Sequence, residues 1–173
     1  MKQTTYALDF RHTVHAPRAI VCRAWTDAEQ LKGWYRPDDS WSTPVAEIDL
    51  RAGGKYRIGL QPPVGSTFYE VGIYREVALP DRLVYTVRFE GVHLQFKGGH
   101  LDEPTGAAME RYETVITVAF HELASGGTRV VVTHAGYRTE EDRDRHREGW
   151  PRFLEQLARY CGAARPTVAQ RER

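Results

Sequence analysis

The 173-residue sequence is poor in sulfur, with two cysteines and two methionines. Cys22 and Cys161 are far apart. They indicate no disulfide framework and are expected to be buried free thiols. Charge of one sign is also missing: 24 Lys and Arg offset 23 Asp and Glu, for a net charge of +1. With no basic surplus to neutralise a row of phosphates, no nucleic-acid partner is expected. Apolar runs are a few residues long, against the ~20 that a membrane-spanning helix requires, so no membrane insertion is expected. At the N-terminus Asp9 separates Leu8 from Phe10. The apolar block of a signal peptide is therefore missing, and a cytoplasmic location is expected.

Metal-binding spacing is absent too. There is no His-Glu-x-x-His and no paired-cysteine motif. His12 and His15, three apart on an expected strand, point to opposite faces. His93, His100, Asp102 and Glu103 have suitable chemistry but no recognised spacing. Neither Gly53-Gly54 nor Gly126-Gly127 leads into a helix as a phosphate loop must. No metal and no cofactor is expected, and no Ser-His-Asp set can be named without geometry.

Hydrophobic residues make up 41% of the chain and charged residues 27%, an ordinary globular mixture. Residues 8–15 alternate loosely and predict a first strand. Pro17 then opens a helix whose stripe is Ile20, Val21, Ala24 and Trp25, and Asp27 caps a second short helix carrying Leu31 and Trp34. The period next changes to two. Ala46, Ile48 and Leu50 share a face, and across a turn at Gly53-Gly54 so do Tyr56, Ile58 and Leu60. Tyr69, Val71, Ile73 and Val77 predict the apolar face of the next strand, with a bulge near Arg75. Leu83, Tyr85, Val87 and Phe89 continue the pattern. Residues 91–110 read as a long loop. Thr114, Ile116, Val118 and Phe120 form a strand, a turn follows at Gly126-Gly127, and Val130, Val132 and His134 share a face of the last strand. Thr139 caps a final helix with His146, Trp150, Phe153, Leu154, Leu157 and Cys161 on one side. Pro151 predicts a kink beside Gly149. No internal repeat or second domain is visible. One domain is expected over 1–162, followed by a disordered tail over 163–173.

Short turns between the strands predict an antiparallel sheet. Its apolar face and the stripe of the final helix must bury each other. The expected fold is α+β: a curved sheet of about seven antiparallel strands wrapped round a long C-terminal helix, with two short helices after the first strand. Such an arrangement encloses volume suited to a ligand.

Several segments resemble the START-like SRPBCC superfamily, whose fold is this helix grip. They are the Ala-Pro and Trp-Thr-Asp-Ala-Glu-Gln-Leu between Val14 and Trp34, the Glu47-Ile-Asp-Leu-Arg-Ala-Gly-Gly-Lys-Tyr stretch, and the sequences starting at Gly72 and Leu79. The most specific are Gly127-Thr-Arg-Val-Val-Val-Thr-His and His146-Arg-Glu-Gly-Trp-Pro. Together they resemble the branch named for the activator of heat-shock protein 90 ATPase, over about residues 10 to 161. The resemblance implies binding of a small hydrophobic molecule, lipid-like, aromatic or polyketide-like. It also leaves open a polyketide cyclase or dehydratase, a resistance protein against a reactive natural product, and a chaperone ATPase co-regulator. No segment by itself indicates a chaperone partner. A ligand-binding protein is favoured over an enzyme. The 91–110 loop is longer than expected of that branch and could cap the cavity.

His134, on the last strand, and His146, one turn before Trp150, are the candidates for acid–base chemistry, because imidazole titrates near neutral pH. The competing reading makes each a hydrogen-bonded structural residue at a polar rim. The expected ligand-binding walls are Val130, Val132 and His134 on the strand, facing His146, Trp150 and Phe153 on the helix. Trp34, Tyr56, Tyr85 and Phe89 add aromatic lining, and Trp41 is a further aromatic candidate.

Overall fold

A computed structural model describes residues 5–91 and 112–163. The expected residues 92–110 of the long loop, its metal-ligand candidates, and the tail from 164 onward lie outside the described residues. Strand β1 (Tyr6–Val14) leads into helices α1 (Arg18–Thr26) and α2 (Ala28–Lys32). Six strands follow: β2 (Ser42–Ile48), β3 (Lys55–Gln61), β4 (Phe68–Ala78), β5 (Arg82–Glu90), β6 (Thr114–Glu122) and β7 (Thr128–Tyr137). Helices α3 (Glu140–Arg147) and α4 (Gly149–Ala163) close the order. All neighbouring strands are antiparallel, and the sheet runs β1-β7-β6-β5-β4-β3-β2. This is the α+β helix grip.

The helix starts follow from their caps. The Asp27 side chain accepts from the Gln30 N–H at 3.0 Å, and Thr139 Oγ1 accepts from the Asp142 N–H at 3.1 Å. The long C-terminal helix is interrupted at Glu148, beside Gly149 where the kink is expected. Pro151 has no N–H to give the Arg147 carbonyl, and its ring crowds that carbonyl. The two pieces therefore differ in role. Helix α3 carries no buried residue, whereas α4 buries Trp150, Leu154, Gln156, Leu157 and Cys161 against the sheet.

One strand differs from its expected phase. On β4 the buried residues are Phe68, Glu70 and Tyr74, while Ile73 is 41% exposed. The face expected to be apolar, Tyr69, Val71 and Ile73, is the outer one. The register of β4 on β5 shifts between Tyr74 and Glu76, which keeps Val77 partly buried against the core. Gly72 marks a close approach at the same place: a Cβ there would lie 1.8 Å from the Thr86 carbonyl oxygen. Both cysteines are free and buried, as expected, and burial pushes the Cys22 thiol up to about 11 and Cys161 to about 12. Neither is a thiolate near neutral pH.

Candidate functional site

Where α4 crosses the sheet, the two layers enclose a cavity of about 200 Å³. The sheet supplies Leu60, Phe68, Glu70, Phe89, Ile116 and His134. His146, Trp150 and Phe153 stand on the helical side, and Tyr35 and Trp41 close one flank. Edge contacts hold these rings: Tyr35 to Phe153 at 4.9 Å and Trp41 to Phe68 at 6.0 Å between centroids.

Six expected lining residues border this space: Trp41, Phe89, His134, His146, Trp150 and Phe153. The other five do not. Val130 and Val132 are fully buried members of the main core cluster. Trp34 is also fully buried, since its indole N–H donates to the Ala24 carbonyl at 2.8 Å and its ring packs 4.9 Å from Trp25. It ties α2 to α1. Tyr85 accepts from the Trp25 indole at 3.3 Å. Tyr56 lies behind the wall, in contact with a residue that the sequence reading missed.

That residue is Glu70, 4% exposed at the centre of the inward face of β4. Tyr35 donates its hydroxyl to Oε2 at 2.8 Å, and Tyr56 donates to Oε1 at 3.2 Å. The Tyr56 hydroxyl also lies 2.8 Å from the Thr86 carbonyl oxygen. Thr86 is free to accept there because the local ladder is rerouted: Ile73 N–H donates to Thr86 Oγ1 at 3.1 Å. Burial pushes the Glu70 carboxyl up to about 7, against the pull of the two tyrosine hydroxyls. Both charge states can be accommodated. As the acid, Oε1–H can donate to Tyr56 while Tyr56 donates to Thr86; as the carboxylate, it accepts from Tyr35 and shares the single Tyr56 hydrogen with the Thr86 carbonyl. The available signal was a parity: Phe68, Glu70 and Tyr74 are in phase, with Gly72 between them.

The two histidines have different environments. His134 Nδ1 accepts the Trp150 indole N–H at 3.1 Å and lies 2.7 Å from the Tyr137 hydroxyl. An indole nitrogen only donates, so Nδ1 is unprotonated and Nε2 bears the hydrogen, 2.7 Å from Thr114 Oγ1. Burial first, and then the neighbouring His146, hold this imidazole well below its ordinary pKa. It is a neutral strut joining β7, β6 and α4. His146 Nδ1 lies 2.9 Å from the Asp142 carbonyl oxygen, which can only accept, so Nδ1 carries the hydrogen. Its Nε2 is buried, without a hydrogen-bond partner among the described residues. Burial also lowers the His146 pKa. The result is a neutral ring, in a residue that lines the cavity, with a buried lone pair that no described residue satisfies.

Among the described residues, no group of three or more His, Cys, Asp or Glu is placed to hold a metal ion. No helix of the described residues is long and apolar enough to cross a membrane.

Known structures share this architecture. A protein of Nitrosomonas europaea is 25% identical, with a TM-score of 0.70 over 92% of this chain and 96% of its own. An AHSA1-like protein of Aeromonas hydrophila is 21% identical, with a TM-score of 0.70 over 92% and 94%. A Staphylococcus epidermidis protein is 22% identical, with a TM-score of 0.71 over 99% and 98%. No curated protein matches the sequence significantly. Residues 15–162 match the family described as activator of Hsp90 ATPase homolog 1-like protein, and the chain belongs to that family.

Proposed function

We propose that this protein binds a compact, largely apolar small molecule between the sheet and the C-terminal helix. The observation that carries this reading is the aromatic-walled cavity with a carboxyl group at its base. Volume bounds the ligand. An apolar cavity of about 150 Å³ accepts benzene, so about 200 Å³ suits one substituted ring. A lipid or an extended polyketide would leave most of its length outside the mouth. Toluene is a sufficient first probe. Titrated into isotopically labelled protein, it is expected to shift the Trp150 indole and the Glu70 and Phe153 amide resonances saturably. Resonances that do not move would overturn the reading.

Glu70 favours a second reading, proton transfer on the bound molecule. A carboxyl held at about 7 can take and return a proton near neutral pH. It is better suited to that role than His134, both of whose nitrogens are engaged within the protein. With acetophenone in deuterated water, this reading expects methyl-proton exchange above the buffer rate, abolished by Glu70→Gln. Exchange at the buffer rate would leave binding alone. Chaperone regulation would act through the surface, and the cavity offers it no support.

A further inference from the structure

Given that the cavity binds a ligand, the ligand's class follows from the hydrogen-bonding capacity left on its walls. Two lining residues have their single donor committed: Tyr35 donates to Glu70 and the Trp150 indole to His134. The Arg145 guanidinium is ion-paired to Glu141 and Asp142, which balances its charge. His134 has partners on both nitrogens. Two acceptors keep open capacity. An ionised carboxylate offers about four lone-pair sites, and Glu70 uses one on each oxygen. His146 Nε2 is buried with no partner among the described residues. A buried acceptor left unpaired is costly, and a ligand that supplies the missing donor removes that cost.

These acceptors belong to opposite layers. Glu70 lies on β4 in the sheet and His146 on α3, and both border the same space. Between them the lining is aromatic and aliphatic, suited to the faces of a ring. We propose that the cavity is a receptor for a single aromatic ring bearing two hydrogen-bond donors, of the dihydroxybenzene or aminophenol kind. Glu70 takes one donor and His146 Nε2 the other. A ring without donors fills the same volume but leaves both acceptors unpaired. A site built to hydrogen-bond a ligand discriminates against analogues that lack the group. Ionised Glu70 makes its bond charge-assisted, the stronger of the two kinds.

Catechol, resorcinol and hydroquinone present two hydroxyls at the three possible separations, and toluene presents none. The test measures the affinity of all four by calorimetry at pH 8. For the best-bound dihydroxybenzene, His146→Phe is expected to weaken binding about tenfold, and Glu70→Gln by a similar factor. Toluene affinity should stay within about twofold in both variants, which also reports an intact cavity. A ligand-side arm avoids the risk that a variant misfolds. Methylating one hydroxyl of that probe, tested on the unaltered protein, should likewise cost about tenfold. If the variants and the methyl ether change nothing, or weaken toluene equally, the donor-recognition proposal is overturned while the cavity stands. If none of the four probes binds, the cavity reading itself has failed.

Discussion

Glu70 is a carboxyl group that folding shifts toward its neutral form, and that has a consequence for stability. Its value rises from 4.5 in the unfolded chain to about 7 in the fold. Below 4.5 both states are protonated and the group is neutral in its effect. Between 4.5 and 7 the folded state holds a proton that the unfolded state has released, so stability falls as pH rises. Over those 2.5 units the loss amounts to roughly 3 kcal/mol, and it is complete above the folded value. Glu70→Gln keeps an acceptor for Tyr35 and cannot ionise. Urea unfolding at pH 5, 6, 7 and 8 should find the variant gaining on the wild type by most of that amount across the series. A constant difference would mean that Glu70 is not held neutral. His134 makes the contrasting case. Its sequence position promised chemistry, yet its partners on β6 and α4 use both nitrogens. Its neighbour His146 was a candidate for the same reason and retains an open nitrogen. The difference is set by partners 16 and 20 residues away, which no local pattern specifies.

Strand β4 does more than contribute a wall. Gly72 lets it approach β5 closely enough for the Thr86 carbonyl to meet the Tyr56 hydroxyl and for the Thr86 side chain to meet Ile73 N–H. A Cβ at position 72 would also come within 2.8 Å of the Tyr56 ring. Gly72→Ala should therefore part the two strands or displace Tyr56, at a cost of about 3 kcal/mol or more. It should also weaken the clamp on Glu70. Denaturant unfolding checks the first effect. The Glu70 side-chain carbon resonance, followed against pH, checks the second. Wild-type stability in the variant would show that β4 and β5 do not need the close approach. The helical end depends on Pro151 in a related way. By ending α3 at Arg147, the proline separates a charged, exposed segment carrying His146 from the amphipathic α4 carrying Trp150. The kink expected beside Gly149 from Pro151 falls at Glu148, because the bond that is lost is the one the Arg147 carbonyl would accept.

Across the whole molecule, the strand–helix order, the antiparallel pairing and the burial of β3, β5, β6, β7 and α4 were legible in the sequence. Alternation at Tyr56, Ile58 and Leu60 or at Ile116, Val118 and Phe120 has one solution, since a one-residue slip would expose every apolar side chain. On β4 apolar residues occupy both faces, so the pattern was ambiguous, and the polar member of the inward face was taken as outward. The site suffered most from this ambiguity. Phe89, His134, His146, Trp150 and Phe153 were placed near a cavity from their faces alone, whereas Val130 and Val132 share the His134 face but sit deeper, and Trp34 is buried between the short helices and the core. Depth depends on how far the sheet bends and where α4 crosses it, and these are set by contacts distant in sequence. The sequence by itself determined the helix-grip fold and the family, because period, caps and turns are local signals repeated along the chain. Only the tertiary structure decided that a carboxyl group clamped by two tyrosines lines the same cavity as a histidine with one unpaired nitrogen. Burial and hydrogen-bond satisfaction are properties of the assembled layers, not of any one segment.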